Sequence, residues 1–98
     1  MKISTRQLEK KRFSLLTKDL TTCVECGRPK DDLHEVYEGA YRKKSMQYGC
    51  VIPLCRQCHN RIHLEKELKL KYKRMFEKLF KEYYPEEDFH AVFFYKDI

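Results

Sequence analysis

The longest regular pattern of apolar residues lies in the second half of the chain. Between about residues 56 and 84, apolar side chains recur at steps of three and four, the spacing of one face of an α-helix. The pattern stops at Pro85, and proline cannot continue a helix. We therefore predict one long helix whose packing surface is formed by Leu64, Leu68, Tyr72, Met75, Phe76, Leu79 and Tyr83.

Two shorter apolar runs precede this helix. Leu33–Tyr37 and Cys50–Leu54 have the composition of strands, and the second is rich in valine and isoleucine. The segment between them, Gly39–Gly49, is basic and too polar to belong to a core, so we expect a loop there. Two strands followed by a helix predict a small α+β fold.

The two ends of the chain differ in character. In the basic segment 1–20, Ser4 or Thr5 can cap a short helix, and an extended stretch follows to Leu16. The tail is too apolar to remain in water, so it docks either on the long helix or on a partner chain. The chain is accordingly a monomer or a homodimer paired through the long helix, and the need to cover the tail favours the monomer. The apolar residues of this tail are Phe89, Val92, Phe93, Phe94 and Tyr95.

Length and charge fit one small domain with an anionic partner. With 98 residues, the chain divides into the basic segment 1–20, a central core 21–63, a helix extension 64–84 and the aromatic tail 85–98. It carries 21 Lys and Arg against 15 Asp and Glu, a net charge of +6 that suits a polyanion such as nucleic acid. Glutamates offset much of the positive charge on the long helix.

Cellular location bears on how the cysteines are interpreted. The N-terminus lacks the apolar block of a secretory signal, and no apolar run is long enough to cross a bilayer. We therefore expect a soluble, cytoplasmic protein without a membrane partner. Disulfides are rare in that compartment, where clustered cysteines more often bind metal.

Four of the five cysteines have the spacing of a zinc knuckle. Cys23 and Cys26 form one CxxC pair, and Cys55 and Cys58 form another. Each pair can direct two thiolates at one ion, and two pairs complete a tetrahedron. Gly27 follows the first pair, where the chain must bend. Four thiolates leave no open position for water, so we predict a structural zinc site.

Two other interpretations of these cysteines explain less. A redox role for one CxxC pair would not require the second pair. The string Cys55–His59 matches the haem-attachment pattern CxxCH, but that chemistry leaves the first pair unexplained and requires export. Cys50 lies outside both pairs, and we interpret it as a small buried hydrophobe.

Three histidines form a second candidate site. His59 and His63 are spaced i, i+4 at the start of the predicted helix, so both project from one face and can hold a metal between two imidazoles. His34 lies in the first candidate strand. If the second CxxC pair docks the helix beside that strand, His34 faces the other two. His90, in the aromatic tail, has no such neighbours.

The spacing of these residues resembles the HNH nucleases, and most closely small phage and prophage HNH proteins with a zinc knuckle. The likeness runs from about Arg12 to His63 and continues more loosely through the tail. It is specific because the cysteine, histidine and glycine spacings agree together. The matching residues are Leu33-His34-Glu35-Val36, Gly39, Arg42, Ser45, Tyr48-Gly49, and Pro53-Leu54-Cys55-x-x-Cys58-His59-x-x-x-His63.

This resemblance implies a ββα-metal fold, also called the His-Me finger, in which two antiparallel strands and a helix hold one divalent cation. His34 falls on the strand ligand of the family, and His59 and His63 fall on its helix ligands. Glu35 stands where the family usually has its general-base histidine, and Cys50 stands in place of the middle Asn. Either Glu35 is the base, or His34 is the base and Glu35 joins the metal shell, or activity is reduced.

The implied activity is metal-dependent hydrolysis of phosphodiester bonds in DNA, in a bacterium or a phage-infected host. Imidazole ligands suit Zn²⁺ or Ni²⁺, Mn²⁺ accepts both nitrogen and oxygen, and Mg²⁺ prefers oxygen. Five basic residues are expected to contact phosphates without reading sequence, on double-stranded or branched DNA. They are Arg42, Lys43, Lys44, Arg56 and Arg61.

Two alternatives stay open. The chain can be a zinc-knuckle protein that binds DNA in phage recombination or packaging and has weakened or lost catalysis, which Glu35 and the missing Asn favour. It can also be a protein-interaction module with purely structural zinc and a long helix that pairs with a partner. The three histidines favour the nuclease, because packing alone does not require them around a knuckle.

Overall fold

A computed structural model describes residues 5–93 of the chain. The expected capping side chain of Ser4 or Thr5 and the tail residues Phe94 and Tyr95 lie outside the described residues. The elements in chain order are α1 (Thr5–Lys10), β1 (Asp32–Glu35), a 3-10 turn (Gly39–Tyr41), α2 (Arg42–Tyr48), β2 (Val51–Leu54), α3 (Arg56–Leu64), α4 (Lys66–Tyr83) and α5 (Phe89–Phe93).

The two strands form an antiparallel pair that has helices on both faces. His34 lies opposite Ile52, and Glu35 lies opposite Val51. Because side chains alternate along a strand, His34 and Ile52 share one face, towards α3, while Glu35 and Val51 share the other. On that second face Val51 packs with Leu8 of α1 and with a methionine of α2. The predicted α+β class is confirmed, although both strands are shorter than expected.

The segment between the strands is helical, so the predicted polar loop is wrong. It contains the 3-10 turn and α2, and it buries Ser45 and Met46 completely or nearly so. The Ser45 hydroxyl accepts a hydrogen bond from the Tyr37 backbone N–H at 3.1 Å and donates one to the Tyr37 carbonyl at 2.7 Å. This exchange fixes the chain just after β1. Of its basic residues Lys43 is exposed, while Arg42 and Lys44 are half-buried and make contacts within the protein.

The predicted single long helix is interrupted at Glu65. That residue has an extended backbone, with φ −104° and ψ 103°, and it separates α3 from α4. The change of direction leaves Leu64 84% exposed, so Leu64 does not belong to the packing surface predicted for the helix. Tyr83, at the other end of that surface, is also exposed. The buried part of α4 consists of Leu68, Tyr72, Phe76 and Phe80.

The tail docks on α4 of its own chain, as predicted. Phe89 and Phe93 of α5 are buried, and their rings lie 5.4 Å and 5.8 Å from the ring of Phe80. Phe93 also packs against the ring of Tyr37 just after β1, at a centroid distance of 4.5 Å. The tail helix α5 therefore packs against both α4 and Tyr37, which lies just after β1. Within residues 5–93, no helix combines the length and apolar character that crossing a membrane requires.

We predict that Phe80→Ala destabilises the fold by about 3–5 kcal/mol, the usual cost of removing a large buried aromatic side chain. Phe80 is fully buried beneath α5, whereas Tyr83 on the same helix is 60% exposed. Urea unfolding of the two alanine variants compares these positions directly. Tyr83→Ala should unfold at nearly the midpoint of the native chain. Equal stability of the two variants would contradict the proposed packing of the tail.

Candidate metal centres

The four paired cysteines meet beside the start of α3. Their sulfur atoms all lie within 4.8 Å of one another, and the sulfurs of Cys26 and Cys55 are 3.5 Å apart. The first pair lies in a tight turn in which the Gly27 N–H donates to the Cys23 carbonyl at 2.9 Å. Gly27 has φ +81°, a left-handed conformation that costs glycine little. The predicted convergence of the two CxxC pairs is confirmed.

This geometry fits a thiophilic metal. Tetrahedral zinc with bonds of about 2.3 Å places its sulfurs about 3.8 Å apart, close to the spacing observed here. The second pair is arranged by the helix itself, since Cys55 is the N-cap of α3 and its sulfur accepts a hydrogen bond from the Cys58 N–H at 3.4 Å. The four cysteines are therefore close enough to hold a metal such as zinc. Cys50 is fully buried elsewhere, and burial raises the pKa of its thiol to about 12.

A glutamate inside the first CxxC turn connects this cluster to α4. The Glu25 carboxylate accepts a hydrogen bond of 2.6 Å from the Tyr72 hydroxyl and lies 3.4 Å from the Lys71 ammonium. Burial and this carboxylate raise the pKa of Tyr72, so its hydroxyl keeps its proton and donates. The cysteine turn is thus tied to the helix that follows α3.

The three histidines also converge, as the sequence predicted. Their ligand nitrogens all lie within 4.8 Å of one another. Ring centroids are 5.1 Å apart for His34 and His59, 5.6 Å for His34 and His63, and 5.0 Å for His59 and His63. His34 is buried, His59 is half-buried and His63 is exposed, so the cluster opens to solvent on one side. A ligand or substrate has access from that side.

Two aspartates at the start of β1 orient α3 and one of its histidines. Asp31 accepts a hydrogen bond from the Arg56 N–H at the first turn of α3, at 2.7 Å. The Asp32 carboxylate lies 3.0 Å from His59 Nδ1. A carboxylate only accepts, so Nδ1 of His59 carries the proton and Nε2 keeps the lone pair that a metal needs. The hydrogen bond from His59 and the charge of Arg56 lower the pKa of Asp32, which stays ionised.

Burial also affects the protonation of His34, the histidine on β1. Removal from water lowers the pKa of His34 to about 4, with smaller contributions from the neighbouring imidazoles. His34 is therefore neutral near pH 7, and the neutral imidazole is the form that binds a metal. The cluster presents this neutral, buried ring beside two more accessible ones.

Sequence reasoning missed two acidic residues at this cluster. Asp32 precedes His34 by two positions, so strand alternation alone places both on one face and could have identified Asp32. Glu38 comes four residues after His34, and no spacing rule applies because the chain has left the strand. Its carboxylate oxygens lie 3.8 Å from His34 Nε2 and from His63 Nδ1, and 3.3 Å from the Lys69 ammonium.

Glu35, which the HNH-like motif places at the general-base position, lies on the opposite face of β1 from His34. Its Oε1 accepts hydrogen bonds from Arg12 and from Arg42, both at 2.8 Å. Arg42 also pairs with Glu9 of α1 at 2.7 Å. The carboxylate is therefore held between two guanidinium groups that join β1, α2 and the segment after α1.

Three of the five predicted DNA-contacting residues are engaged within the protein. Arg42 bridges two glutamates as described above, and the Lys44 ammonium donates to the Val92 carbonyl at 2.9 Å. Arg61 pairs with Glu65 at 2.8 Å on the exposed side of α3. These contacts engage each side chain within the protein, and a DNA role stays a prediction.

The other two basic residues are more accessible. Lys43 is exposed on α2, and among residues 5–93 no ion pair is found for it. Arg56, at the start of α3, has a side chain that is 68% exposed while it contacts Asp32 at 3.2 Å. Because Asp32 also contacts His59, Arg56 lies next to the histidine cluster.

Comparison of the chain with protein-family models, with curated proteins and with solved structures finds no match. The likeness to HNH nucleases therefore rests on the motif and on the arrangement of the residues themselves. Family membership and activity stay hypotheses, and the convergence of the two clusters is what the structure contributes to them.

We predict that Glu35→Gln lowers the free energy of unfolding by about 1–3 kcal/mol, because a neutral amide removes the nearer counter-charge of the half-buried Arg12 guanidinium and leaves only Glu9, at 3.7 Å. Urea denaturation measures the loss. Glu65→Gln is the matched control, since it breaks an exposed i, i+4 pair at the end of α3 and should leave the midpoint unchanged. A Glu35→Gln protein as stable as this control would show that the arginine contacts do not support the fold.

Proposed function

We propose that this protein is a metal-dependent DNA endonuclease of the HNH type. The observation that carries this proposal is the convergence of His34 from a strand with His59 and His63 from a helix, with all ligand nitrogens within 4.8 Å. A buried strand histidine and two more accessible helix histidines, in a cluster open to solvent on one side, are suited to a divalent cation that also binds a phosphate oxygen.

The order of elements supports the same proposal. Strands β1 and β2 are antiparallel, and α3 follows β2 without a connecting loop, which is the order of a ββα-metal motif. His34 lies in the first strand, and His59 and His63 lie on the helix, as the HNH resemblance implies. Within this proposal the fold is a His-Me finger with a zinc knuckle.

The chain's own residues divide the work of such a site. His34, His59 and His63 bind the cation, and Asp32 holds the His59 ring in the tautomer that leaves Nε2 free. A cation held there would supply polarisation of the phosphodiester and stabilisation of the charge on the leaving oxygen. Arg56 lies beside the cluster, where its guanidinium can contact a phosphate of the backbone.

The engagement of Glu35 favours a second candidate function. The Glu35 carboxylate accepts hydrogen bonds from two arginines and lies on the opposite face of β1 from the histidines, so it is not placed to act at the cluster. A protein that still binds the metal ion and DNA but catalyses weakly fits this arrangement. This second candidate is a zinc-knuckle DNA-binding protein with little or no nuclease activity.

We also propose that the four cysteines hold a structural zinc ion. Four sulfurs within 4.8 Å of one another form a closed donor set, with no position left for a substrate. Structural zinc contributes about 10–16 kcal/mol in small finger domains, which is comparable to the stability of a whole domain. A chain of 98 residues with so many charges depends strongly on such a contribution.

Removal of zinc should therefore unfold the protein. We expect a strong chelator in reducing buffer to abolish the cooperative thermal transition seen by circular dichroism, and added zinc to restore it. Cobalt substitution identifies the cysteine site through thiolate-to-cobalt absorption. That absorption should be lost or greatly weakened in Cys26→Ser and kept in Cys50→Ala. An unchanged melting temperature in metal-free, reduced protein would rule out the structural role.

The nuclease proposal predicts nicking of supercoiled plasmid by the native protein in the presence of Mn²⁺, Ni²⁺ or Mg²⁺. His59→Ala and His63→Ala should each reduce the rate by more than about 100-fold, since even loss of an outer-shell partner commonly costs about 10- to 100-fold. His90→Ala is the matched control, because His90 is exposed and lies outside both clusters, and its rate should equal the native rate.

The outcomes of this assay separate the two candidates. Nicking by the native protein that His59→Ala retains would contradict a role for the histidine cluster. Absence of nicking, together with DNA binding that weakens steeply as salt rises, would favour the DNA-binding protein. Neither nicking nor salt-sensitive binding would contradict both candidates.

A further inference from the structure

Among the ion pairs of residues 5–93, Glu38 is the one carboxylate that contacts two members of the histidine cluster. Its Oε1 lies 3.8 Å from His34 Nε2, and its Oε2 lies 3.8 Å from His63 Nδ1. Oε1 is buried and accepts no hydrogen bond from the described part of the chain. A buried carboxylate oxygen without a hydrogen bond is costly unless a cation is near it.

The backbone before Glu38 holds its carboxylate in place. Val36 and Tyr37 are buried, and Tyr37 exchanges two hydrogen bonds with the Ser45 hydroxyl. The Glu38 carbonyl then accepts from the Tyr41 N–H at 3.2 Å as the 3-10 turn begins. A fixed turn directly after β1 therefore places the Glu38 side chain beside the histidine cluster.

Lys69 is the competing partner of this carboxylate. Its ammonium lies 3.3 Å from Glu38 Oε1, but the geometry is not that of a hydrogen bond. A divalent cation held by three imidazoles would carry twice the charge of an ammonium group and would attract the Glu38 carboxylate more strongly. Lys69 is on α4 and its side chain is 30% exposed, so it can turn away into water.

We propose that Glu38 is the fourth protein ligand of the histidine cluster, which becomes a site of three imidazoles and one carboxylate for a divalent transition-metal ion. This inference rests on the proposed function, because it concerns the same cluster. Mixed nitrogen and oxygen donors suit Mn²⁺, Co²⁺, Ni²⁺ or Zn²⁺ better than Mg²⁺. The carboxylate also removes one unit of the cation's charge, and a six-coordinate ion keeps two positions for substrate and water.

Cobalt binding tests this ligand without relying on activity. Protein whose cysteines are already loaded with zinc is titrated with Co²⁺, and the visible absorption of a nitrogen- and oxygen-bound ion reports the second site. We expect Glu38→Gln to weaken this binding by about 10-fold or more, a loss at least as large as that of an outer-shell partner. Glu38→Asp keeps the charge but shortens the reach, and it should weaken binding as well.

Two controls exclude indirect effects. Glu65→Gln removes an exposed carboxylate between α3 and α4 that pairs with Arg61, and it should bind cobalt like the native protein. Lys69→Gln removes the competing ammonium and should bind cobalt as tightly as the native protein or more tightly. Weaker binding in Lys69→Gln, equal to that in Glu38→Gln, would show that the ion pair alone matters and would overturn the proposal.

The titration also separates this inference from the proposed function. If the native protein binds a second ion and Glu38→Gln or Glu38→Asp binds it equally well, Glu38 is not a ligand, while the three-histidine site stands. If the native protein binds no second ion, the metal-dependent function and the fourth ligand both fail. Circular dichroism of each variant confirms that a loss of binding is not a loss of fold.

Discussion

The placement of α3 directly after β2 is the constraint on which both clusters depend. Cys55 ends the strand and is also the N-cap of the helix, so the chain has no loop in which to change the direction of α3. Hydrogen bonds fix the same junction from the other side, since Val24 donates to the Pro53 carbonyl and Asp31 donates to the Leu54 carbonyl. Once α3 has this direction, Cys58 faces the first CxxC turn and the histidines one and five positions later face β1. The cysteine cluster and the histidine cluster are two consequences of one junction.

Coupling between the clusters follows from this shared helix. Ile62 of α3 is buried in the same hydrophobic core as Ile52 and Leu54 of β2, so the helix cannot rotate to adjust one site without disturbing this packing. The contact between Glu25 and Tyr72 extends the connection to α4, on which the tail packs. A metal at the cysteines would thus determine how far the imidazoles of α3 lie from His34. In a small domain such a restraint substitutes for part of a larger hydrophobic core.

The features that could be predicted from the sequence are local ones. The CxxC turns and the i, i+4 histidines depend on spacing within one turn or helix, and both were correctly placed by that spacing. The interruption at Glu65 could not be predicted, because no glycine or proline marks it and the apolar steps continue across it. The helix at 42–48 was missed because burial of Met46 arises from contact with distant Leu8 and Val51, which local polarity does not show. Strand alternation could have identified Asp32, whereas the contact of Glu38 with the histidines depends on a turn fixed by Ser45.

Strand alternation also explains why an HNH-like motif can carry Glu35 beside His34. Successive residues of β1 face different environments. His34 lies on the face with the histidine cluster, and Glu35 lies on the face covered by α1 and α2. On that second face the Glu35 carboxylate accepts a hydrogen bond from each of two arginines, and a neutral histidine would leave Glu9 as their one shared counter-charge among the ion pairs of the described residues. The glutamate is therefore explained by the stability of the fold, without reference to catalysis. Glu35 is held in this way, so the carboxylates beside the histidines are Asp32, which shares their face of β1, and Glu38, which the turn after β1 brings back to them.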